Sequence, residues 1–438
     1  MKKVITYGTF DLFHRGHYNI LKRAKEHGDY LIVGVTGESY DLERGKLNVR
    51  DSLLTRIQNV RNTGFADEII VEEYQGQKIN DILKYDIDTL VIGSDWRGKF
   101  DYLKKYCEVL YLERTKDISS TQIRETSEPI YNLGIITDDF DDGSIVEESL
   151  YVSGIHANGV CCANQDILDE FKEKFELNVF TLDYDELLRN SDVVYVRSSF
   201  SERAKHVKKA LSSGKHVIVE PPFTFDKKEA EEIFNLAKEN GVVFTERITI
   251  AYLRAFTQLV WFLHGGIIGD VVNLKISAKD RENSKESLLR LSSLALFASY
   301  KILNTNYLGD FNSVFFRTRN NGYYNFISLA YESMHAAIDI SSVTHSVEGL
   351  EVLGTDGSIY VPDDWWNIGY FEIKKPNEAH PKRYSFNFEG NGFRYLLQDF
   401  LISINSMKTR FETTKLFASD SYALIDALNS VRKSEGIS

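Results

Sequence analysis

The chain has 438 residues, 43% hydrophobic and 26% charged, with a formal net charge of −12. These values predict a soluble protein of two or three domains, and the acidic balance argues against nucleic acid as a partner. No apolar run approaches the ~18–20 residues of a membrane span, so no membrane partner is expected.

Up to about Glu125, short β-branched runs alternate with helical stretches. Val4–Tyr7, Tyr30–Val35, Glu68–Val71, Thr89–Ile92 and Val109–Leu112 read as strands, and His17–His27 and Ser52–Asn62 as helices, the first stopped by Gly28. Such alternation predicts an α/β fold with a doubly wound parallel sheet. Thr126-Ser127-Glu128-Pro129 reads as a junction. A second strand–helix series runs through Tyr131–Thr137, Ser149–Gly154, Asp192–Arg197, His216–Val219 and Val242–Thr245. From about Asp270 the alternation at Val271–Ser277, Ser313–Thr318, Tyr324–Ser328 and Gly349–Leu353 predicts a large, mainly antiparallel sheet, followed by helices at Gly392–Ser406 and Ser421–Lys433. The expected domains are 1–127, 130–250 (Rossmann-like) and 251–438 (α+β). The cysteines, Cys107 and the adjacent Cys161 and Cys162, suit a reducing cytoplasm. The apolar part of the N-terminus is too short for a secretory signal.

The stretch YGTFDLFHRGH, Tyr7 to His17, follows the first strand. His14 and His17 lie at a spacing that brings two ligands to one helical face, but no cysteine or third histidine is near, and no metal site is expected. Two other readings compete. The histidines cap the helix; or they meet an anion at its N-terminus, where Gly8 and Gly16 allow close backbone approach and N–H groups are unpaired. In the second reading two imidazoles donate to a phosphate as transition-state charge grows.

With Arg44-Gly45-Lys46, Gly93–Asp101 (GSDWRGKFD) and Arg114–Thr121 (RTKDISST), this motif resembles the HxGH nucleotidyltransferases, and residues 1 to about 125 are most similar to the glycerol-3-phosphate cytidylyltransferase family. The resemblance implies in-line attack of an acceptor phosphate oxygen on the α-phosphorus of CTP, with pyrophosphate leaving. The nucleophile is already ionised at neutral pH, so positioning and charge neutralisation suffice. It implies His14, His17, Lys46 and Arg114 as catalytic residues. Thr9, Phe10, Asp11, Gly16, Asp95, Thr115, Ser119, Ser120 and Thr121 would form the nucleotide site, and Arg44 with Lys46 the acceptor site. Mg2+ would arrive with CTP, bridging phosphate oxygens. A cytoplasmic homodimer using a phosphorylated polyol, glycerol 3-phosphate above all, and feeding surface-polymer synthesis completes the expectation. Two departures from the family pattern stand out: Gly64 where an arginine is usual, with Arg56 and Arg61 as candidates to compensate, and Asp117 where a glycine is usual.

Residues 131–438 resemble the Gfo/Idh/MocA oxidoreductases through Gly214–Pro222 (GKHVIVEPP), the helix Asp226–Asn240, Gly354–Tyr360 (GTDGSIY) and Gly392–Tyr395 (GFRY). The positions that carry that family's chemistry differ. Pro221 stands for the lysine of Glu-Lys-Pro. Thr137–Asp142 (TDDFDD) replaces the glycine-rich turn, and Leu288–Phe297 (LLRLSSLALF) lacks the expected histidine and aspartate. Like charges ~4 Å apart cost up to about 4 kcal/mol at an effective dielectric of 20, so four carboxylates at that turn predict no NAD(P). The expectation is a fold that has lost redox chemistry. Its rivals are a bifunctional transferase–oxidoreductase, and a nucleotide-binding scaffold without catalysis, against which the retained His14, His17, Lys46 and Arg114 argue.

Overall fold

A computed structural model describes the chain except residues 44, 48, 114–129, 304–309, 318–322, 344–347, 407–411, 414 and 435–438. It divides into two compact units, Met1–Ile130 and Tyr131–Ser438.

The first unit runs β1 (Lys3–Gly8), α1 (Arg15–Lys25), β2 (Tyr30–Thr36), α2 (Glu38–Glu43), α3 (Leu53–Asn62), β3 (Glu68–Glu72), α4 (Gln77–Tyr85), β4 (Thr89–Gly93) and β5 (Glu108–Leu112). Its five strands form a parallel sheet in the order β3-β2-β1-β4-β5. The order reverses beside β1, so the crevice at the carboxyl ends of β1 and β4 is the place where such sheets hold ligands. Val4, Ile5, Leu31, Val33, Leu90 and Val91 are fully buried, as a parallel sheet covered on both faces requires.

Two differences from the sequence expectation have local causes. Helix α1 begins at Arg15 rather than His17, because His14 is its N-cap. Gly28 does not stop the helix, which ends at Lys25; a Cβ at Gly28 would lie 2.6 Å from the Lys2 carbonyl oxygen, so the glycine admits that crossing backbone. Helix α4 went unread in the sequence, and it starts from Gly76 at φ +90.

The second unit opens with β6 (Tyr131–Thr137), β7 (Ile155–Cys161), β8 (Val179–Thr181), β9 (Val193–Arg197), β10 (His216–Val219) and β11 (Phe244–Glu246), a parallel sheet in the order β11-β10-β9-β6-β7-β8. The strand expected at Ser149–Gly154 is absent. Ser149 ends the helix Gly143–Ser149, its hydroxyl donating to the Val146 carbonyl at 2.7 Å, and a turn closed by Gly154 at φ +88 leads into β7. Leu150, Tyr151 and Val152 imitated a strand by composition alone.

The larger sheet comprises β12 (Val271–Lys279), β13 (Asp310–Arg317), β14 (Tyr323–Ala330), β15 (His335–Ser341), β16 (Gly349–Gly354), β17 (Gly357–Val361), β18 (Tyr370–Lys374) and β19 (Lys382–Ser385). Its order is β13-β14-β15-β12-β16-β17-β18-β19, antiparallel except for the parallel pair β12–β15. The helix Lys285–Leu303 packs its buried residues into this sheet's core. The helix Phe393–Asn405 instead returns to the six-stranded sheet. There Phe393, Leu396, Leu397 and Phe400 join Leu133 and Ile135 in one core, and Arg394 pairs with Glu148 at 2.7 Å.

Candidate active site and a second cleft

The loop after β1 is bent sharply. Phe10 and Leu12 adopt φ +55 and +47, left-handed conformations that cost a non-glycine residue roughly 1–3 kcal/mol each. The surrounding groups hold that geometry. The buried Phe10 ring packs 3.0 Å from where a Cβ on Gly8 would stand, so Gly8 is needed for this approach. Asp11 is 1% exposed, and its Oδ1 accepts from the backbone N–H groups of Arg50 and Asp51, both at 2.9 Å. Asp51 reciprocates by accepting from the Leu12 N–H at 2.9 Å. The two aspartates clasp the β1–α1 loop to the segment before α3.

His14 Nδ1 accepts from the Gly16 N–H at 3.0 Å, which places the proton of the neutral ring on Nε2. The His14 and His17 rings stack at 4.0 Å with an interplanar angle of 23°. Phe10 meets His17 edge-on at 5.5 Å and Phe13 lies 5.5 Å away at a tilt, so the second imidazole is fixed by rings. Capping and anion binding are therefore compatible: Nδ1 of His14 caps while Nε2 carries the donor.

Lys46 reaches the same place, its Nζ donating to Thr9 Oγ1 at 2.6 Å. Beneath Thr9 lies Arg56 of α3, fully buried. Its Nη1 donates to the carbonyls of Thr9 (2.9 Å) and Thr36 (2.7 Å), its Nε to that of Asp51 (3.0 Å), and Asp41 lies 3.5 Å away. Arg56 thus does not replace the absent arginine at Gly64 as a surface cation, since its bonds run to backbone carbonyls inside the loop. Arg61 is exposed near the end of α3. The role of Arg56 was hidden in the sequence, where a single arginine in an amphipathic helix reads as solvated. Asp95 belongs to a short 3₁₀ turn, Ser94–Trp96, directly after β4. Arg44, Arg114, Thr115, Ser119, Ser120 and Thr121 lie outside the described residues. Among the described residues no cluster of His, Cys, Asp or Glu could hold a metal ion, and no helix is long and apolar enough to cross a membrane.

In the second unit the crevice between the carboxyl ends of β6 and β9 is occupied by ion pairs. Arg197, which ends β9, pairs with Asp142 (2.9 Å) and Asp139 (3.0 Å) and lies 3.6 Å from Glu282. The carboxylates after β6 are therefore not an uncompensated like-charge run, as their sequence suggested. Burial pushes the Asp142 carboxyl up, opposed by Arg197 and Arg247. Two of the turn's own donors are also taken: the Asp139 N–H donates to Thr137 Oγ1 and the Asp141 N–H to Asp139 Oδ1, both at 3.0 Å.

Next to it, Glu220 accepts from Tyr195 Oη at 2.7 Å and faces Arg247 at 3.4 Å and Arg290 at 3.8 Å. Burial raises its pKa, but Arg247, Arg290 and Arg197 together outweigh that and hold the carboxyl at about 2. The segment Leu288–Phe297 forms the middle of the helix Lys285–Leu303 and offers Leu291 and Leu294 to the adjoining cleft.

The sheet order, the strained histidine loop and the crevice define a nucleotidyltransferase of the α/β class, and comparison with known proteins agrees. The cytidylyltransferase-like family model matches residues 5–126, and the model for the oxidoreductase family with an NAD-binding Rossmann fold matches residues 148–247. The glycerol-3-phosphate cytidylyltransferase of Bacillus spizizenii is 54% identical over 125 residues, 28% of this chain and 96% of the relative; that of Bacillus subtilis is 48% identical over the same shares. The chain belongs to the cytidylyltransferase-like family through its first unit, and that unit is a cytidylyltransferase. A solved structure of a 3-ketoreductase from Actinomadura kijaniata, in complex with TDP-benzene and NADP, covers 70% of this chain and 97% of its own. Its TM-score is 0.60 at 19% identity, a likeness of fold.

Proposed function

We propose that the first unit transfers CMP from CTP to glycerol 3-phosphate, giving CDP-glycerol and pyrophosphate. The observation that carries this reading is the pair of stacked imidazoles at the mouth of α1, 4.0 Å apart, with Lys46 on the adjoining Thr9. A phosphate oxygen of the acceptor forms the new bond to the α-phosphorus, and the bond to the bridging oxygen of the leaving pyrophosphate breaks. His14 Nε2–H and His17 donate to the oxygens on which charge accumulates, and Lys46 neutralises the acceptor phosphate. By the family resemblance, Arg114 would aid charge neutralisation, and Thr115, Ser119, Ser120 and Thr121 would serve the nucleotide, the last three its outer phosphates. Thr9, Phe10 and Gly16 line the nucleotide through backbone, Asp95 borders it, and Arg44 supports the acceptor. Asp11 acts by holding the loop, because its carboxylate is committed to two backbone N–H groups. Mg2+ would arrive with the nucleotide and would supply further charge neutralisation.

In the second unit we infer binding without redox chemistry. A dinucleotide pyrophosphate needs bare N–H groups at the first turn, and here two of the turn's donors are taken by Thr137 and Asp139, and the space beside β9 by Asp139, Asp142 and Arg197. The residues present do not suit NAD(P). Residues 1–127 form the transferase domain, while 130–250 and 251–438 act as one module, since the helix Phe393–Asn405 is part of the earlier core. The protein works as a cytoplasmic homodimer serving surface-polymer synthesis. Mass-spectrometric identification of the product from CTP and a panel of phosphorylated polyols tests the assignment: CDP-glycerol as the principal product supports it, and a preferred acceptor other than glycerol 3-phosphate would replace it.

A further inference from the structure

The helix Ala418–Ser434 is shared by the two cores of the second unit. Ile425 is buried with Val207, Val217 and Phe244 beside the six-stranded sheet, and Tyr422 meets Phe234 edge-on at 5.6 Å. Leu424 and Leu428 are buried in the core of the larger sheet, with Leu294 and Ile338. Whatever holds this helix therefore holds the joint between the two sheets.

Two buried carboxyls fix its first turns. Asp420, 2% exposed, accepts from the Phe417 N–H at 3.0 Å, the reach-back bond of a helix cap, and pairs at 2.7 Å with Lys301 of the helix Lys285–Leu303. Glu246, at the end of β11 and 4% exposed, accepts from Ser421 Oγ. No cation pairs with Glu246 among the described residues. Lys301 is on Asp420, and Arg203 gives its donors to the carbonyls of Ser198 and Pro222 and faces Glu286 at 3.7 Å. A buried carboxylate without a cation is costly, and a second carboxyl beside it adds to that cost, so Glu246 keeps its proton where an exposed glutamate would lose it.

We propose that Glu246 is a proton-controlled bolt on this helix: neutral, it anchors the first turns through Ser421, and ionised, it repels Asp420 and frees them. Burial pushes the Glu246 carboxyl up to about 7, the Ser421 hydrogen bond opposing, Asp420 adding to the rise and Arg203 reducing it. A group that holds its proton more tightly in the folded chain contributes stability at acid pH and loses it as pH rises, so the bolt opens on the alkaline side. Tyr252, a further titratable group facing Asp420, stays neutral throughout, because burial pushes its pKa up, and its hydroxyl meets Thr413 at 2.8 Å.

The test is hydrogen–deuterium exchange of the full chain at about pH 5.5 and about pH 8, corrected for the pH dependence of the intrinsic rate. Amides of Ser421–Leu428 should lose protection by roughly 10-fold or more between the two. Glu246→Gln keeps an acceptor for Ser421 and cannot ionise, so its helix should hold the same protection at both pH values, with the rate of pyrophosphate release from CTP unchanged. The proposal is overturned if the parent's helix is protected equally at both pH values, a result that needs no variant, or if Glu246→Gln loses protection as steeply as the parent.

Discussion

His17 is held by three rings rather than by a visible role in packing the sheet, and this makes its loss a kinetic matter. His17→Ala should lower kcat by about 100-fold or more, as removal of an oxyanion donor does, while changing KM for CTP far less. A residue that only capped α1 would instead lower stability by about 1 kcal/mol and spare turnover, so melting temperature and kcat on one variant separate the roles. Arg56 predicts the opposite pattern. Its guanidinium serves the carbonyls of Thr9, Thr36 and Asp51 from full burial, so Arg56→Ala should destabilise the first unit by about 3–5 kcal/mol. Chemical denaturation should register that loss, with activity falling because the loop loosens. An Arg56→Ala protein as stable as the parent would remove it from the loop's support.

At the scale of elements, the ends of strands carry the unusual chemistry. Glu246 closes β11, fully buried, with Ser421 donating to it from the helix Ala418–Ser434. Burial, only partly offset by that hydrogen bond, pushes its carboxyl from 4.5 up to about 7. A raised folded pKa contributes stability that is fully present below pH 4.5 and is lost as pH rises through 7. The total is on the order of 3 kcal/mol. Glu246→Gln should therefore flatten the pH dependence of the second unit's urea midpoint over that window, and a slope unchanged by the substitution would exclude Glu246 as its source.

The sequence exposed what local pattern encodes. The strands beginning near Val4, Tyr30, Tyr131 and His216 are short, apolar and β-branched, and they were legible. The Ser149–Gly154 error came from Tyr151 and Val152, whose β preference lost to a helix end and a turn. Strands β15, β17, β18 and β19 were missed because they are short or mix small, polar and charged residues with the apolar ones, even where burial alternates along them, as in β15 and β18. His14 and His17 stood out by their spacing and Lys46 only by the family resemblance, and the fold brings all three to the loop after β1. Asp51 and Arg56 were not, because their partners are backbone groups that only the folded loop brings near.

For the whole molecule, the second unit keeps the architecture of the reductase fold but fills its ligand crevice with its own ions. The full chain should bind neither NADPH nor NADH at physiological concentrations, read by quenching of intrinsic fluorescence and by calorimetry. Micromolar binding would restore the bifunctional reading, because it would require Arg197 to leave Asp139 and Asp142. Deleting residues 131–438 should leave cytidylyl transfer in place provided the shortened chain folds, since the stacked histidines, Lys46 and Arg56 belong wholly to the first unit.

The transferase reaction itself is the most direct measure of the first unit. Magnesium-dependent pyrophosphate release by the full chain should require CTP and glycerol 3-phosphate together, with UTP and ATP much poorer donors. Pyrophosphate release that is absent with every phosphorylated polyol offered, or that proceeds equally well with any nucleoside triphosphate, would contradict it.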